Sequence, residues 1–205
     1  MLDNKSRVDN EVAAIALMQD ALSTFPTRIV PDVYAWNTAA LGDGWIVQEH
    51  KHGEQIGSTF AELPTERKGF VLNQIAQVFQ LLQSYRPRGL SYGGLKFGKD
   101  GKVCSGALSI WGGGPFTDYA HMYDYLFRTQ IERSKSTSLV DGWRDSDLAG
   151  RLHEFEASGG LAKLLRSLPA APPTLVHGDL GQSVFIKPTP GTDSGCRVGE
   201  HPFRP

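Results

Sequence analysis

At 205 residues, with 40% hydrophobic residues, 21% charged residues and a net charge of −1, the chain has the balance of a globular protein able to bury a sizeable core. Near-neutral charge removes the electrostatic reason to expect nucleic acid or an anionic membrane surface as a partner. Two cysteines far apart, Cys104 and Cys196, make no disulfide framework, no apolar run approaches membrane-spanning length, and the opening Met1-Leu2-Asp3-Asn4-Lys5 has no apolar signal core, so a cytoplasmic location is expected.

In chain order, Val8, Val12, Ile15 and Leu22 recur at helical spacing, and Pro26 and Pro31 close the element. Asp9 and Glu11 are expected in its first turn, where negative charge suits the helix dipole, with Ser6 and Asp9 able to form a capping box. Val33–Trp36 and Trp45–Val47 read as strands around Gly42-Asp43-Gly44. Lys51-His52-Gly53-Glu54 marks a crossing into a mostly helical part. Thr65 caps a helix running to about Ser84, with Leu72, Ile75, Ala76, Phe79 and Leu82 on its inner face. Leu95–Phe97 and Lys102-Val103 form a hairpin through Lys99-Asp100-Gly101. Thr117 opens a further helix with Tyr119, Met122, Tyr123 and Leu126 inward. Two more follow on either side of Gly159-Gly160, carrying Leu148, Leu152 and Phe155, then Leu161, Leu164, Leu165 and Leu168. Residues 189–205 are rich in Gly, Pro and polar residues without periodicity, the pattern of a disordered tail.

The richest chemistry lies in Thr174-Leu175-Val176-His177-Gly178-Asp179-Leu180. Pro172-Pro173 stops the preceding helix, and a short strand then runs into His-Gly-Asp. A carboxylate at that strand end can accept a proton from a substrate hydroxyl, as the base in phosphoryl transfer does. The alternative is an Asp that only caps the turn. His50 and His52 share one face if extended and could take zinc, but with no Cys or third His nearby in sequence they read first as a solvated pair. Gly112-Gly113-Gly114 runs into Pro115 and lacks the Lys of a P-loop, so it reads as a plain loop.

His177, Gly178, Asp179 and Leu180 resemble the catalytic loop of the aminoglycoside phosphotransferase and choline kinase-like family, which has His-Gly-Asp-Leu, three variable residues, then Asn. The likeness extends backwards. Asn10-Glu11-Val12-Ala13-Ala14 is similar to the family's N-lobe helix, Ile29-Val30-Pro31-Asp32-Val33-Tyr34-Ala35-Trp36 to the entry into the next strand, and Gly44-Trp45-Ile46-Val47-Gln48-Glu49-His50 to the strand before the interlobe hinge. The resemblance implies an α+β, protein kinase-like fold. It would have a partial N-lobe at 1–52 with a hinge at about 47–52, and a helical C-lobe with the catalytic loop at 53–188. The implied activity is transfer of the ATP γ-phosphoryl group, with magnesium, to a hydroxyl of a small molecule. Asp179 would act as base and His177 would orient the loop. Glu11 would be the helix Glu that pairs with a strand Lys, while Glu49 and His50 offer backbone hydrogen bonds to adenine. Gly178 stands where protein kinases carry Arg, which favours a small-molecule acceptor. The acid-rich stretch 118–156 corresponds to the region that in the family helps form an acidic cleft for cationic substrates, though most of these acids read better as solvated helix faces.

The departures are specific. Val184 replaces the magnesium-ligating Asn. Ten residues before Glu11 leave no room for a Gly-rich hairpin and its Lys, and no Ile-Asp-Trp-like segment follows Ile186. The chain thus reads as a phosphotransferase truncated at both ends, incomplete or weakly active. The alternative is an inactive relative that serves as a binding module.

Overall fold

Helix α1 (Asn4–Ala21) is apolar without interruption from Val12 to Met18, and such a stretch has to be covered on several sides. Val8, Val12, Ala13, Ile15, Leu17 and Ala21 are buried, Ala13 completely at 0% exposure. The computed structural model describes residues 4–38, 44–55, 59–108, 111–134, 147–167, 171–176 and 186–187. Among them are five α-helices and three two-stranded antiparallel ladders, so the chain is α+β.

Three partners cover α1. The first is the hairpin of β1 (Val33–Asn37) and β2 (Trp45–Gln48), paired Ala35 to Val47 and Asn37 to Trp45, with a bulge between Val33 and Ala35. The second is the hairpin of β4 (Gly94–Phe97) and β5 (Val103–Gly106). Its turn works as its sequence suggests: Gly101 takes φ +74°, the Gly98 amide donates to the Lys102 carbonyl at 2.8 Å, and the Lys102 amide donates to Asp100 Oδ1 at 3.2 Å. The hairpin sits so close to α1 that the Leu95 amide donates to Asn10 Oδ1 at 2.7 Å. A Cβ on Gly94 would lie 2.0 Å from the Ala107 carbonyl oxygen and 3.0 Å from Asn10 Oδ1, so glycine is required for this approach. Trp36 stacks on Phe97 at 5.5 Å between ring centroids, joining the two hairpins.

The third partner is helix α2 (Thr65–Ser84), whose C-terminal turns meet the end of α1. Ile15, Ala21, Leu22, Val30 and Leu82 form one cluster, with Met18, Val78, Leu81, Tyr85 and Leu175 packed around it. The span of α2 is as its sequence predicts, and Ile75, Phe79 and Leu82 of its expected inner face do turn inward, whereas Leu72 and Ala76 do not. Leu72 is 54% exposed and Ala76 is also exposed, while Val71, Ile75, Val78 and Leu82 turn inward. Val78 and Leu82 carry the contact with the end of α1.

Helix α3 (Tyr119–Ser134) begins after Asp118, whose Oδ1 accepts the His121 amide at 2.8 Å; Asp118 rather than Thr117 therefore caps it. Tyr123 is exposed, whereas Tyr125, not expected inside, donates to the Trp111 carbonyl at 3.0 Å. Helices α4 (Leu148–Ala157) and α5 (Gly160–Ser167) form a corner at Gly159, φ +75°, and α5 packs on α3 and α4 through buried Leu161. Phe155 and Leu164 are exposed, against expectation. The expected first-turn acids are also displaced: α1 starts at Asn4, so Ser6 lies within the helix, and Asp9 and Glu11 lie beyond its first turn. The expected tail, 189–205, lies outside the described residues.

Two measurements follow from this arrangement. Asn10→Ala leaves the Leu95 amide without its acceptor and is expected to lower the unfolding free energy in urea by about 1–3 kcal/mol. Glu11→Ala, at the exposed neighbouring position, is expected to change it by less than about 0.5 kcal/mol. Tyr85 donates to Asp20 while its ring packs on the core; desolvation first, then that hydrogen bond and the carboxylate charge, push its pKa from 10.0 to about 12. Because the folded value is the higher, the stabilisation is complete below pH 10 and is lost as pH rises through about 12. In a spectrophotometric titration of the six tyrosines, Tyr85→Phe is expected to remove a component ionising near pH 12.

Candidate functional site

The catalytic candidates Asp179 and His177, together with Gly178, Leu180 and Val184, lie outside the described residues. The chain on either side of them is described. Residues 171–176 carry neither helix nor strand, so the expected short strand before His-Gly-Asp is absent there. Two contacts nevertheless hold the segment. The Tyr92 hydroxyl donates to the Ala171 carbonyl, and Leu175 packs on the cluster shared by α1 and α2, while Val176 is 81% exposed. On the far side, β6 (Ile186–Lys187) pairs antiparallel with β3 (Glu54–Gln55), Gln55 opposite Ile186 and Glu54 opposite Lys187. The His-Gly-Asp segment is therefore entered from the central core and left beside the stretch that follows His52.

That stretch begins with the other candidates, Glu49 and His50. The Glu49 amide donates to the Asp32 carbonyl at 2.7 Å, and the Asp32 amide returns a bond to Glu49 Oε2 at 3.1 Å. Lys51 Nζ donates to Glu49 Oε1 at 2.8 Å and to the Arg28 carbonyl at 3.2 Å. Asp32 also takes the Arg28 guanidinium and Gln19 Nε2, the latter at 3.2 Å, while Gln19 reaches the Pro31 carbonyl at 2.8 Å. Two acids, two bases and a helix amide thus pin the exit of β2 to the loop after α1. With its own amide engaged, Glu49 has its carbonyl left to offer a ligand, and further donors would have to come from His50 and Lys51.

His50 is exposed and meets His52 edge to face, with ring centroids 4.7 Å apart. Among the described residues no third His, Cys, Asp or Glu joins them in a group able to hold a metal. Glu11 is exposed on α1, forms no salt bridge among the described residues, and is not brought to Glu49 or His50.

The glycine loop before α3 is a packing device. Gly112, Gly113 and Gly114 all have positive φ, and a Cβ on Gly113 would fall 2.3 Å from Tyr125 Cζ. Three acids of the helical part, Asp118, Asp124 and Glu156, are also occupied. Arg128 Nε holds Asp124 at 2.9 Å, its Nη1 holds Glu156, and Asp118 caps α3. Sequence reasoning missed two groups. One is the Asp32 latch, for which the only local hint is charge clustered at Arg28-Asp32 and Glu49-Lys51. The other is the aromatic wall of Tyr92, Tyr119 and Tyr123, with successive ring centroids 5.8 and 4.4 Å apart. There, hydrogen bonding to Tyr119, followed by burial, raises the Tyr123 pKa.

Compared with family models, curated proteins and solved structures, the chain matches none.

Proposed function

We propose that the chain is an aminoglycoside phosphotransferase-like protein of kinase-like fold, transferring the γ-phosphoryl group of ATP to a hydroxyl of a small molecule. Asp179 would orient that hydroxyl and accept its proton, and His177 would orient the loop. One observation carries the reading: the His-Gly-Asp-Leu segment runs between Leu175, packed on the core under α1, and Ile186, paired with Gln55 just past the Glu49–His52 stretch. That connectivity supports an acceptor-side base and a nucleotide-side hinge meeting at one cleft. The Asp32–Glu49–Lys51 latch supports it further, because phosphoryl transfer depends almost wholly on positioning.

Magnesium would neutralise phosphate charge in such a reaction. Val184, at the ligand position of the loop, has no donor atom for it, so the residues present fit the metal poorly. The same residue favours the second reading, a nucleotide- or metabolite-binding module with little turnover. No helix among the described residues is long and apolar enough to cross a membrane.

Slow phosphoryl transfer from labelled ATP to hydroxyl acceptors is expected, and Asp179→Ala should reduce it by about a hundred- to ten-thousand-fold. Val184→Asn is expected to strengthen magnesium-dependent ATP binding measured by calorimetry. ATP binding with no transfer in any variant would select the binding-module reading. Transfer indifferent to Asp179→Ala would refute the assignment of the base.

A further inference from the structure

The hairpin of β1 and β2 ends in a half-made pair. Asp32 precedes Val33 and Glu49 follows Gln48, so the two continue the register that sets Val33 opposite Gln48. In an antiparallel ladder, a pair joined by one backbone bond normally exchanges two, each amide donating to the other carbonyl. Here only one runs from backbone to backbone. The Glu49 amide donates to the Asp32 carbonyl at 2.7 Å, but the Asp32 amide donates to Glu49 Oε2 at 3.1 Å. The Glu49 side chain has taken the place of its own carbonyl, and among the described residues no backbone amide is bonded to that carbonyl. Two features hold the exchange. An ionised acceptor makes the stronger hydrogen bond, so the carboxylate competes well for the Asp32 amide. Lys51 fixes it from the other side, donating to Oε1 at 2.8 Å and to the Arg28 carbonyl at 3.2 Å. Asp32 is held in turn by Arg28 and by Gln19 of α1.

We propose that Glu49 is a positioning residue for base selection: its carboxylate caps the ladder so that its carbonyl stays open to accept a hydrogen bond from a nucleotide base. This rests on the reading of the stretch after β2 as the nucleotide side of the site. With the Glu49 amide already bonded, the backbone at this position presents an acceptor and no donor. The amino group of adenine answers an acceptor; guanine carries an oxygen at the corresponding position, and two acceptors repel. A site with one such bonding group rejects an analogue that cannot answer it. The side chain itself is spent inside the chain, both oxygens engaged, so it acts through the backbone. Glu49→Ala removes the carboxylate, and the Asp32 amide then turns to the backbone carbonyl opposite, completing the ladder and closing the acceptor. Glu49→Gln keeps an oxygen for the Asp32 amide.

Calorimetric titration of the full chain with ATP and with GTP tests this, alongside thermal melts of each variant. The unaltered chain is expected to bind ATP about tenfold more tightly than GTP, the worth of one well-made hydrogen bond. Glu49→Ala should abolish that preference, chiefly by weakening ATP, with no fall in melting temperature because the completed ladder bond offsets the lost ion pair. Glu49→Gln should retain most of the preference. A preference unmoved by Glu49→Ala would overturn the proposal and leave the phosphotransferase reading to its own test at Asp179. So would a Glu49→Ala chain that loses ATP binding and thermal stability together, or a Glu49→Gln chain no better than Glu49→Ala. Binding of neither nucleotide would overturn the proposal and the nucleotide reading with it.

Discussion

The burial of Val8, Val12, Ala13, Ile15, Leu17 and Ala21 of α1 is the constraint on which the rest of the structure depends. A surface helix can be satisfied by one neighbour; this one requires three, and each hairpin and helix around it is placed by what α1 presents. Val8 lies beside Gly44 at the start of β2, Asn10 anchors β4 through a backbone amide, and Ile15 and Leu22 meet Leu82 of α2. The two hairpins have little core of their own, since a two-stranded ribbon is marginal in water. They are stable here because each lays one face on the same helix and because Trp36 stacks on Phe97.

The candidate site inherits this arrangement. Its entry, at Leu175, is a contact with the core that α1 organises. The hinge-like stretch after β2 is tied back to the loop leaving α1 by Asp32, Glu49 and Lys51, with Gln19 of α1 itself joining the network. Exposed ion pairs of this kind contribute little individually to stability. Their value here is geometric: the reciprocal bonds between Asp32 and Glu49 fix where the backbone points. The helical part is more loosely assembled, with Arg128 bridging α3 and α4 and glycines shaping the turns.

Much of the fold was legible in the sequence wherever a local pattern carried the information. Val8, Val12, Ile15 and Leu22 announce α1, Lys99-Asp100-Gly101 announces a turn, and the span of α2 is plain. What was not legible depends on distant partners. At the C-terminal turns of α2 the end of α1 decides what is covered, so Val78 joins Leu82 in the core, while Leu72 and Ala76 stay exposed although their spacing suits the inner face. The first turn of α1 starts at Asn4, ahead of the polar residues that look like a cap. The α+β class follows from pattern alone, whereas the kinase-like reading rests on His-Gly-Asp and its flanks. Of the site, the His-Gly-Asp and hinge segments were visible as motifs. The Asp32 latch was not, since its members lie on separate elements and no spacing rule links them.

The ladder of β3 with β6 joins residues near the start of the chain to residues near its end through very few paired positions. Closing so large a loop costs chain entropy before any contact compensates for it, and a short ladder returns little. The hairpins and helices, built from near neighbours, can form first, and this closure would come late in folding and open early in local unfolding. The β3–β6 ladder would then close only after the framework around α1 is complete, and would be the first pairing to open under stress while that framework stays intact.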